Sequence, residues 1–462
     1  MKRWNLRSIE TAVIGFFLIR LYGIWFPPIE TWHSWRQTLT GMMARNMYEK
    51  GFDFLHPMID MGGSRTGIIG SEFPFYQSLI AMMSEIAGYQ HWYGRLISLL
   101  TATVASWCFF YIIKRIFSER TAWFATLLFM SSLWFSFSRK TMPDTFAVSL
   151  VLIGVYFAMK YSDGKRFINL VFAGIVVALG GLCKIPAVYL MGMILPVVLN
   201  RSVDSSIKRN LICVLAVAGL IVGWWYFYWV PYLVETYRFE LFFPKGIVEG
   251  INEIRPLWAD FLQKFYFGGL RSYIALLPLL FGVIWLFKKK NILLSSGFAV
   301  LTAVFVLFAI KTGTVFPTHN YYILPFVPVM AVLAALGLEF FGPRWSLILL
   351  VLVCIEGIGN QISDFRLKKE VSYRLDLENQ LDSILPKNEK IVIFTGANPE
   401  YMYWYHRKGW SIDPGGEKDP HIIRDIRENG GKYFVVDKHA EDISGFQLLA
   451  ETRDCKVYFV NR

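Results

Sequence analysis

Long apolar runs recur along most of this chain and are separated by short polar segments. Runs of about 18 to 22 apolar residues are long enough to cross the hydrocarbon core of a bilayer as α-helices. The pattern predicts about eleven such spans, near residues 9–26, 95–113, 121–137, 143–161, 167–183, 185–200, 210–230, 268–287, 292–310, 321–340 and 345–361. We therefore expect a polytopic α-helical membrane protein.

The composition supports this class and changes how the net charge is interpreted. Hydrophobic residues make up 55% of the 462 residues and charged residues 18%, whereas soluble proteins carry about 25% charged residues. A net charge of +12 is typical of basic cytoplasmic loops that lie against anionic lipid headgroups. A nucleic-acid-binding protein would need a soluble basic face. Because the pattern contains none, the expected partners include membrane lipids and no nucleic acid.

Basic residues in the short loops predict the orientation of the spans. With the N-terminus in the cytoplasm, the loops that face the cytoplasm are all net basic, as the positive-inside rule requires. Their basic residues are Lys114, Arg115, Arg120, Lys165, Arg166, Arg201, Lys208, Arg209, Lys288, Lys289, Lys290 and Arg344. The N-terminal MKRWNLR and the run after it resemble an uncleaved signal anchor. An odd number of spans then predicts a C-terminus on the outer side of the inner (plasma) membrane. If one span of the closely joined pair at 167–200 is false, the orientation of everything after it is reversed.

Three segments on the predicted outer side are too long to be turns. The first, residues 27–94, contains two stretches with helically spaced apolar residues, near 40–48 and 75–86. This spacing predicts amphipathic helices that lie in the membrane interface. The second segment covers residues 231–264 and is aromatic and mixed in charge. The third is the C-terminal segment.

The C-terminal segment has the pattern of a small α/β domain. LPKNEKIVIFTG predicts a strand that enters a turn, NPEYMYWYHRKG and DPHIIRDIRENG predict helices, and KYFVVD and CKVYFV predict strands. Alternating strands and helices are typical of an α/β domain. We therefore predict a transmembrane domain over residues 1–362 and an extracytoplasmic α/β domain over residues 363–462.

The first outer segment concentrates residues that could carry chemistry. They are Glu30, His33, Arg36, Arg45, Asp60 and Glu72. A carboxylate can deprotonate an acceptor hydroxyl, and cations can hold an anionic donor. The alternative is an ordinary wet loop anchored by interfacial Trp and Tyr side chains. The length of the segment favours function for the loop as a whole, since connections without a role are usually short.

Further charged and polar residues lie at span ends on the same predicted side. Arg139 and Asp144 belong to SRKTMPD, Lys184 lies in the short link 182–184, and His319 and Tyr322 belong to VFPTHNYYILP. A cation at the mouth of a cavity is suited to a phosphate contact. The alternatives are side chains that snorkel to the interface, an acidic residue in a first helical turn, and a structural histidine.

Six motifs occur in an order and spacing that point to one family. They are HSWRQ…MARNMYEKG, SEFPFYQSLIA, GRLISLL, SRKTMPD, GGLCKIPA and THNYYILPFVPVMAVLAALGLE. With these motifs, over about residues 10–345, the chain resembles the GT-C superfamily of polyprenyl-phosphate-sugar-dependent glycosyltransferases. The most similar branch is that of the bacterial aminoarabinose transferases and protein O-mannosyltransferases.

The resemblance implies roles for the outer residues. A carboxylate of the first outer loop would act as the base, and basic residues near the outer face would hold the donor phosphate. Glu72, beside the EFP motif, would be a second catalytic carboxylate or, as in some members, a metal ligand. The expected acid after the RQ motif is missing, because Thr38, Leu39 and Thr40 follow it. Glu30 is therefore the first candidate for the base, and Asp60 the second. The implied donor and substrate contacts are His33, Arg36, Arg45, Arg139, Asp144, Lys184, His319 and Tyr322.

These features predict an inverting glycosyltransferase in the membrane. It would move a hexosyl or pentosyl unit from a polyprenyl-phosphate carrier to a glycan, lipid or protein on the outer face, and a divalent metal is the only candidate cofactor. The chain has no Gly-rich nucleotide-binding motif, which agrees with a donor supplied by the membrane. The alternatives are a lipid-linked-glycan transporter or flippase, and a membrane assembly protein. Transporters carry ionisable residues within their spans, whereas here these residues lie at span ends.

Overall fold

A computed structural model of the chain describes residues 7–30, 32–239, 244–288, 292–438 and 443–460. The predicted basic residues Lys289 and Lys290 and most of the MKRWNLR segment lie outside the described residues. The α-helices are α1 (Arg7–Arg20), α2 (Ser34–Lys50), α3 (Phe75–Ala87), α4 (Tyr93–Ile116), α5 (Glu119–Ser131), α6 (Trp134–Phe137), α7 (Pro143–Gly164), α8 (Phe167–Cys183), α9 (Leu195–Leu199), α10 (Ser205–Trp224), α11 (Val230–Tyr237), α12 (Ile247–Ile254), α13 (Trp258–Gln263), α14 (Leu276–Lys288), α15 (Ile292–Lys311), α16 (Val315–Thr318), α17 (Val327–Leu338), α18 (Pro343–Gly359), α19 (Leu377–Asp382), α20 (Glu400–Tyr405) and α21 (Pro420–Glu428).

Tighter and wider helical turns and a few strands complete the described elements. The 3-10 turns are Ile185–Ile194, Arg255–Leu257, Asn320–Phe326, Ile362–Phe365, Lys369–Asp376 and Gly416–Lys418, and the π-helical turns are Trp225–Trp229 and Lys264–Gly268. The strands are β1 (Ile391–Ile393), β2 (Gly409–Ser411), β3 (Tyr433–Asp437), β4 (Leu448–Glu451) and β5 (Cys455–Phe459).

The described residues form two compact units. The helical unit draws on residues 1–24, 94–227 and 242–365, and the sheet unit draws on residues 25–93, 228–241 and 366–462. The sequence pattern predicts that residues 27–94 belong to the transmembrane domain, whereas in the structure this loop packs with the C-terminal segment in the sheet unit.

Five described helical segments are long and apolar enough to cross a membrane. They are Tyr93–Ile116, Pro143–Gly164, Ser205–Tyr237, Ile292–Lys311 and Asn320–Leu338. Shorter apolar helices cover Phe167–Cys183, Ile185–Leu199 and Leu276–Lys288. The prediction of a polytopic helical protein is confirmed, but the count of eleven spans is not. One reason is that prolines break the pattern: Pro186 and Pro196 lie in the segment that folds as a 3-10 turn followed by α9, since proline cannot donate the helical hydrogen bond.

Close helix packing holds the core of the helical unit. Every residue of α17 is buried, and this helix packs against α14 through glycines. A Cβ added to Gly337 would lie 1.8 Å from the carbonyl oxygen of Pro278, and one added to Gly282 would lie 1.9 Å from that of Leu333. Only glycine permits two backbones to approach so closely, as is common between helices in membranes.

The sheet unit is built on a mixed five-stranded sheet with the strand order β2-β1-β3-β5-β4. Strand β1 pairs in parallel with β2 and β3, and β5 pairs antiparallel with β3 and β4. The prediction of a small C-terminal α/β fold is confirmed. The sequence pattern identified β1, β3 and β5, which are largely buried, but missed the two edge strands. Strand β2 has only three residues and begins with glycine, and β4 is mostly exposed, so neither shows a clear alternation.

Helix α2 is a core helix of the sheet unit rather than an interfacial one. Its residues from Arg36 to Met47 are all buried, and Met42 and Met43 belong to an apolar core with Met402 and Tyr403 of α20. The prediction of an amphipathic interfacial helix is therefore wrong for α2. Helix α3 does have one buried and one exposed face, with Tyr76 and Ile80 buried and Met82 and Ile86 exposed.

Candidate active site

A buried carboxylate lies where the chain enters the sheet unit. Glu30 is 2% exposed and forms an isolated antiparallel bridge with Leu367. The side-chain amide of Gln37, on the first turns of α2, donates to Glu30 Oε2 at 3.0 Å. Backbone pairing and the amide together hold the carboxylate in one orientation. We call Glu30, Arg36, Gln37 and Glu72 the carboxylate cluster.

An ion pair forms the other half of the carboxylate cluster. The guanidinium of Arg36 donates to Glu72 Oε1, and the two side chains are 8% and 11% exposed. Arg36 lies one turn into α2, after His33, whose left-handed backbone (φ 63°) ends the loop at the N-cap position. The ion pair thus joins the start of α2 to the segment just before α3. Arg36 lies on α2, Glu72 lies just before α3, and Glu30 contacts α2 through Gln37. Three of the predicted residues therefore lie in or against these two segments.

Asp60 and Arg45 belong to a separate network in the sheet unit. Asp60 is 5% exposed, accepts from Asn46 Nδ2 at 3.0 Å, and lies 3.5 Å from Lys50 Nζ and 3.8 Å from Arg45 Nη2. Arg45 also donates to the carbonyl of Tyr403 at 3.1 Å and covers its ring at 4.6 Å. These contacts tie α2 to α20 and to the loop at 58–60. They favour a structural role for both residues.

Lys184 and Asp144 pair within the helical unit. Lys184 Nζ lies 3.5 Å from Asp144 Oδ1 and 5.8 Å from the centroid of the Tyr322 ring. Lys184 caps the C-terminus of α8, and Asp144 lies in the first turn of α7 after Pro143. Both charges suit the helix dipoles at these ends. The structure thus brings together three residues that the sequence places in separate motifs.

Arg139 binds the backbone that follows α1. Its guanidinium donates to the carbonyl oxygens of Tyr22 at 2.5 Å and Gly23 at 2.8 Å. The same group lies 4.6 Å from the ring centroid of Phe365, and the residue is 2% exposed. These contacts add a structural role to the phosphate contact that the sequence predicts for Arg139.

A buried lysine that the sequence analysis overlooked lies beside the THNYY motif. Lys264 is 6% exposed, and its Nζ donates to Asn320 Oδ1 at 2.6 Å. Burial lowers the pKa of Lys264 to about 8. It lies in the π-helical turn Lys264–Gly268, and such turns often occur at functional sites. The sequence signal was a lone lysine between aromatic residues in QKFYFGG.

His319 lies next to the same motif. Its Nδ1 is 3.0 Å from Thr318 Oγ1 and 3.2 Å from the carbonyl oxygen of Val315. Burial, and to a smaller extent the charge of Lys264, lowers the pKa of His319, although the contact with Val315 opposes this. His319 is therefore mostly neutral at pH 7.

The two lysines and their neighbours are treated together below. We call Asp144, Lys184, Lys264, Asn320 and Tyr322 the cation cluster.

The residues present do not fit a divalent metal at Glu72. No group of three His, Cys, Asp or Glu side chains that could hold a metal ion occurs in the part of the chain that the structure describes. Glu72 itself pairs with Arg36. The predicted metal is therefore not confirmed, and we derive no step of the reaction through one.

Part of the chain matches a known protein family. Residues 71–229, about a third of the chain, match the family model described as dolichyl-phosphate-mannose-protein mannosyltransferase. No curated protein matches the chain at a significant level.

Solved structures match nearly the whole chain. ArnT from Cupriavidus metallidurans bound to undecaprenyl phosphate is similar with a TM-score of 0.62 and 12% identity, over 99% of this chain and 98% of that chain. The Archaeoglobus fulgidus oligosaccharyltransferase in complex with Zn and sulfate is similar with a TM-score of 0.61 and 12% identity, over 92% of this chain and 67% of that chain. Archaeal AglB from Archaeoglobus fulgidus with an inhibitory peptide and a dolichol-phosphate has a TM-score of 0.59 and 11% identity, over 94% and 70% of the two chains.

At identities this low, a likeness in structure establishes the fold. The sequence motifs, the family-model match and the three similar structures agree with one another. The chain therefore has the GT-C fold, and the resemblance to the GT-C superfamily that the sequence motifs indicate is confirmed.

Proposed function

We propose that this chain is an integral-membrane inverting glycosyltransferase that uses a polyprenyl-phosphate sugar as its donor. The observation that carries the proposal is the family-model match over residues 71–229. That segment contains Glu72, Arg139, Asp144 and Lys184. The likeness in fold to a transferase structure bound to undecaprenyl phosphate supports the same class of donor.

The cation cluster is suited to the donor phosphate. When the bond between the anomeric carbon and the phosphate oxygen breaks, the electron pair leaves with the polyprenyl phosphate. Cations at fixed positions stabilise this developing charge more than water does. Lys184 and Lys264 are both largely shielded from solvent, and Asp144 and Asn320 orient their ammonium groups. We assign these two lysines to the phosphate.

The carboxylate cluster is suited to the acceptor. Glu30 would take the proton of the acceptor hydroxyl as its oxygen attacks the anomeric carbon with inversion. Such general-base catalysis requires one oriented carboxylate, and Gln37 holds Glu30 by a hydrogen bond of 3.0 Å. The pair Arg36–Glu72 would fix the start of α2, on which Gln37 lies. Positioning of this kind supplies a large part of the rate in transfer reactions.

The acceptor and the location of the reaction follow from the same assignment. The polyprenyl carrier reaches the protein laterally through the membrane, so the transfer takes place at a membrane surface. We assign this surface to the outer face of the inner membrane, on the basis of the basic loops. The acceptor is a glycan, lipid or protein, and the sugar is a hexosyl or pentosyl unit.

A transfer assay with defined donors tests the proposal. The purified protein in nanodiscs is supplied with synthetic polyprenyl-phosphate hexoses and pentoses together with a cell-envelope extract, and mass spectrometry follows release of polyprenyl phosphate and labelling of acceptors. We expect one donor to be consumed only when acceptor is present. A lipid-linked donor that crosses the bilayer of a proteoliposome without being cleaved would instead establish a flippase.

Mass spectrometry of surface glycans and lipids, with and without the gene, identifies the product. We expect a single sugar unit to be missing from one glycan or lipid in cells without the protein. An unchanged surface, together with no cleavage of any donor, would contradict the proposal.

A further inference from the structure

A cleft of about 170 Å³ lies within the sheet unit, at the edge of the sheet formed by β2. The lining residues that matter to its chemistry are Gly63, Arg65, Phe239, Trp410, Ser411 and Asp425. None of these residues belongs to the carboxylate cluster or the cation cluster. The cleft is large enough for one ring-sized ligand.

Backbone pairing builds one wall of the cleft. The loop after Asp60 runs along β2, with Gly62 bridged to Trp410 and the amide of Gly63 donating to the carbonyl of Gly409 at 2.7 Å. The amide of Gly409 in turn donates to the carbonyl of Asp60 at 3.0 Å. The loop thus covers the edge strand, whose backbone groups would otherwise need other partners.

Gly63 places the loop directly against the indole of Trp410. Its φ of +62° is a left-handed conformation, and an added Cβ would lie 2.6 Å from Trp410 Nε1. Only glycine satisfies both conditions without strain. The wall is therefore held in one position before any ligand binds, which reduces the entropy lost on binding.

Two opposite charges lie at the mouth of the cleft. Arg65 is exposed, and its guanidinium donates to the carbonyl of Arg238. Asp425 is exposed, and its carboxylate accepts from Asn429 Nδ2 at 3.0 Å. A guanidinium carries five N–H donors and a carboxylate accepts at about four positions, so each group retains capacity for a ligand.

The combination of groups selects a neutral, hydroxylated ring. An anionic ligand would be opposed by Asp425 and a cationic one by Arg65. A purely apolar ligand would remove both charges from water without replacing their hydrogen bonds, which is costly. The hydroxyl groups of a sugar can donate to the carboxylate and accept from the guanidinium, while its C–H face packs on the half-buried side chain of Phe239, beside the largely buried Trp410.

We propose that this cleft binds one neutral sugar unit of a glycan acceptor. The role of this glycan as an acceptor rests on the proposed function, whereas sugar binding itself does not. The cleft would hold a glycan at a sugar other than the one that is modified. Such a contact would raise affinity for a longer acceptor without taking part in the bond that forms.

Direct binding to the full-length protein in nanodiscs tests the proposal. The probes are methyl glycosides of neutral hexoses, pentoses and N-acetylhexosamines, and short oligosaccharides of these sugars. The variants are Arg65→Gln and Asp425→Asn, both at exposed positions where folding is retained. The matched controls are Arg424→Gln and Glu428→Gln, which are exposed on the same helix, α21, and do not line the cleft.

We expect at least one neutral saccharide to bind the wild-type protein. Arg65→Gln and Asp425→Asn should each weaken binding roughly 10- to 100-fold, the range for loss of a hydrogen bond to a charged group, and the controls should not. In the transfer assay the same two variants should raise the apparent KM for the acceptor and leave the apparent KM for the donor unchanged.

Three outcomes would overturn the assignment. They are no binding of any saccharide to the wild-type protein, equal weakening in the controls, and tighter binding of an anionic saccharide than of any neutral one by the wild-type protein. Because saccharide binding is measured without a donor, it can succeed even if the protein transfers no sugar. If the protein transfers sugar but binds no saccharide in this test, the cleft is ruled out as a sugar-binding site and the proposed function still stands.

Discussion

At the scale of single residues, the proposed chemistry depends on charged groups that are buried and held by a neighbour. Glu30 is held by Gln37, and Lys264 by Asn320. In each case a side-chain amide forms a hydrogen bond that helps to orient the charged group. Groups arranged in this way are ready to act on a substrate, and their roles can be separated by substitutions that keep the size of the side chain.

Replacement of Glu30 tests the base. Glu30→Gln keeps the shape of the side chain but removes its capacity to accept a proton. We expect turnover to fall by ~10² to 10⁴, the range for lost general-base catalysis, with the apparent KM for the donor unchanged. The control is Glu85→Gln, at an exposed position of α3. A fully active Glu30→Gln variant together with an inactive Asp60→Asn variant would assign the base to Asp60 instead.

Replacement of the lysines tests the phosphate contact. We expect Lys264→Met and Lys184→Met each to raise the apparent KM for the polyprenyl donor by roughly 10- to 100-fold, because each loses a hydrogen bond to a charged group. Lys160→Met, at an exposed position of α7, is the control. Initial rates over a range of donor concentrations measure the effect. Unchanged donor kinetics in both variants would remove the cation cluster from the donor site.

At the scale of elements, close backbone contacts hold helices together in the helical unit, whereas charged side chains hold them together in the sheet unit. In the helical unit, α14 and α17 approach through backbone contacts at Gly282 and Gly337. In the sheet unit, charged side chains connect α2, α19 and α20. His406, at the end of α20, bridges Glu49 at 2.8 Å and Glu378 at 2.7 Å.

A methyl group tests the packing of α14 on α17. Gly337→Ala would place its Cβ 1.8 Å from the carbonyl oxygen of Pro278, so the helices must separate. We expect a loss of at least about 1–3 kcal/mol, the usual cost of overpacking, seen as a lower temperature of thermal unfolding in detergent. Gly297→Ala in α15 is the control, because no described atom lies within 4 Å of its added Cβ. Equal stability of the two variants would contradict the packing.

The histidine bridge predicts a dependence of stability on pH. Burial lowers the pKa of His406, but its hydrogen bonds to Glu378 and Glu49 outweigh this and raise the pKa above its ordinary value. A pKa that is raised on folding stabilises the protein below the unfolded value of about 6.5, and this contribution is lost as the pH rises through the folded value. We therefore expect the unfolding temperature to fall above pH 6.5 more steeply in the wild type than in His406→Gln.

The comparison with the variant isolates His406. Lys50, whose pKa burial lowers to about 8, titrates in the same range in both proteins, so its effect largely cancels in the difference. His421→Gln, at an exposed position of α21, should retain the wild-type slope. A wild-type slope in His406→Gln would show that the bridge carries no charge in this range.

At the scale of the whole molecule, the chain combines a helical unit with spans suited to a membrane and a sheet unit assembled from three separate stretches. The sheet unit takes its residues from the first outer loop, the end of the long helical segment Ser205–Tyr237, and the C-terminal segment. The basic loops predict that all three stretches face the exterior.

A reporter fused after Arg462 tests this sidedness. Because the basic loops predict a C-terminus outside the cytoplasm, we expect a reporter that is active only in the cytoplasm to be silent. A reporter active only in the exported state should give signal at the same position. An active cytoplasmic reporter would mean that one predicted span is false, and the proline-broken segment Ile185–Leu199 would be the first to re-examine.

Much of this architecture could be predicted from the sequence, because hydropathy and local propensity depend on residues close together in the chain. The apolar runs determined the membrane class, and the motif order indicated the GT-C fold. Buried strands such as β3 were predicted because their side chains are apolar and their neighbours are turn residues. The edge strand β2 escaped because three residues that begin with glycine carry no periodic signal.

Only the tertiary structure decided which side chains meet. Arg36 and Glu72 are 36 residues apart in the chain, and Lys264 and Asn320 are 56 residues apart. No local pattern encodes such partners, because they depend on how distant helices pack. For the same reason α2 seemed suited to a membrane interface, whereas packing against α20 buries it. The sequence by itself determined the membrane class, the fold and the residue types of the proposed chemistry, and packing decided their partners.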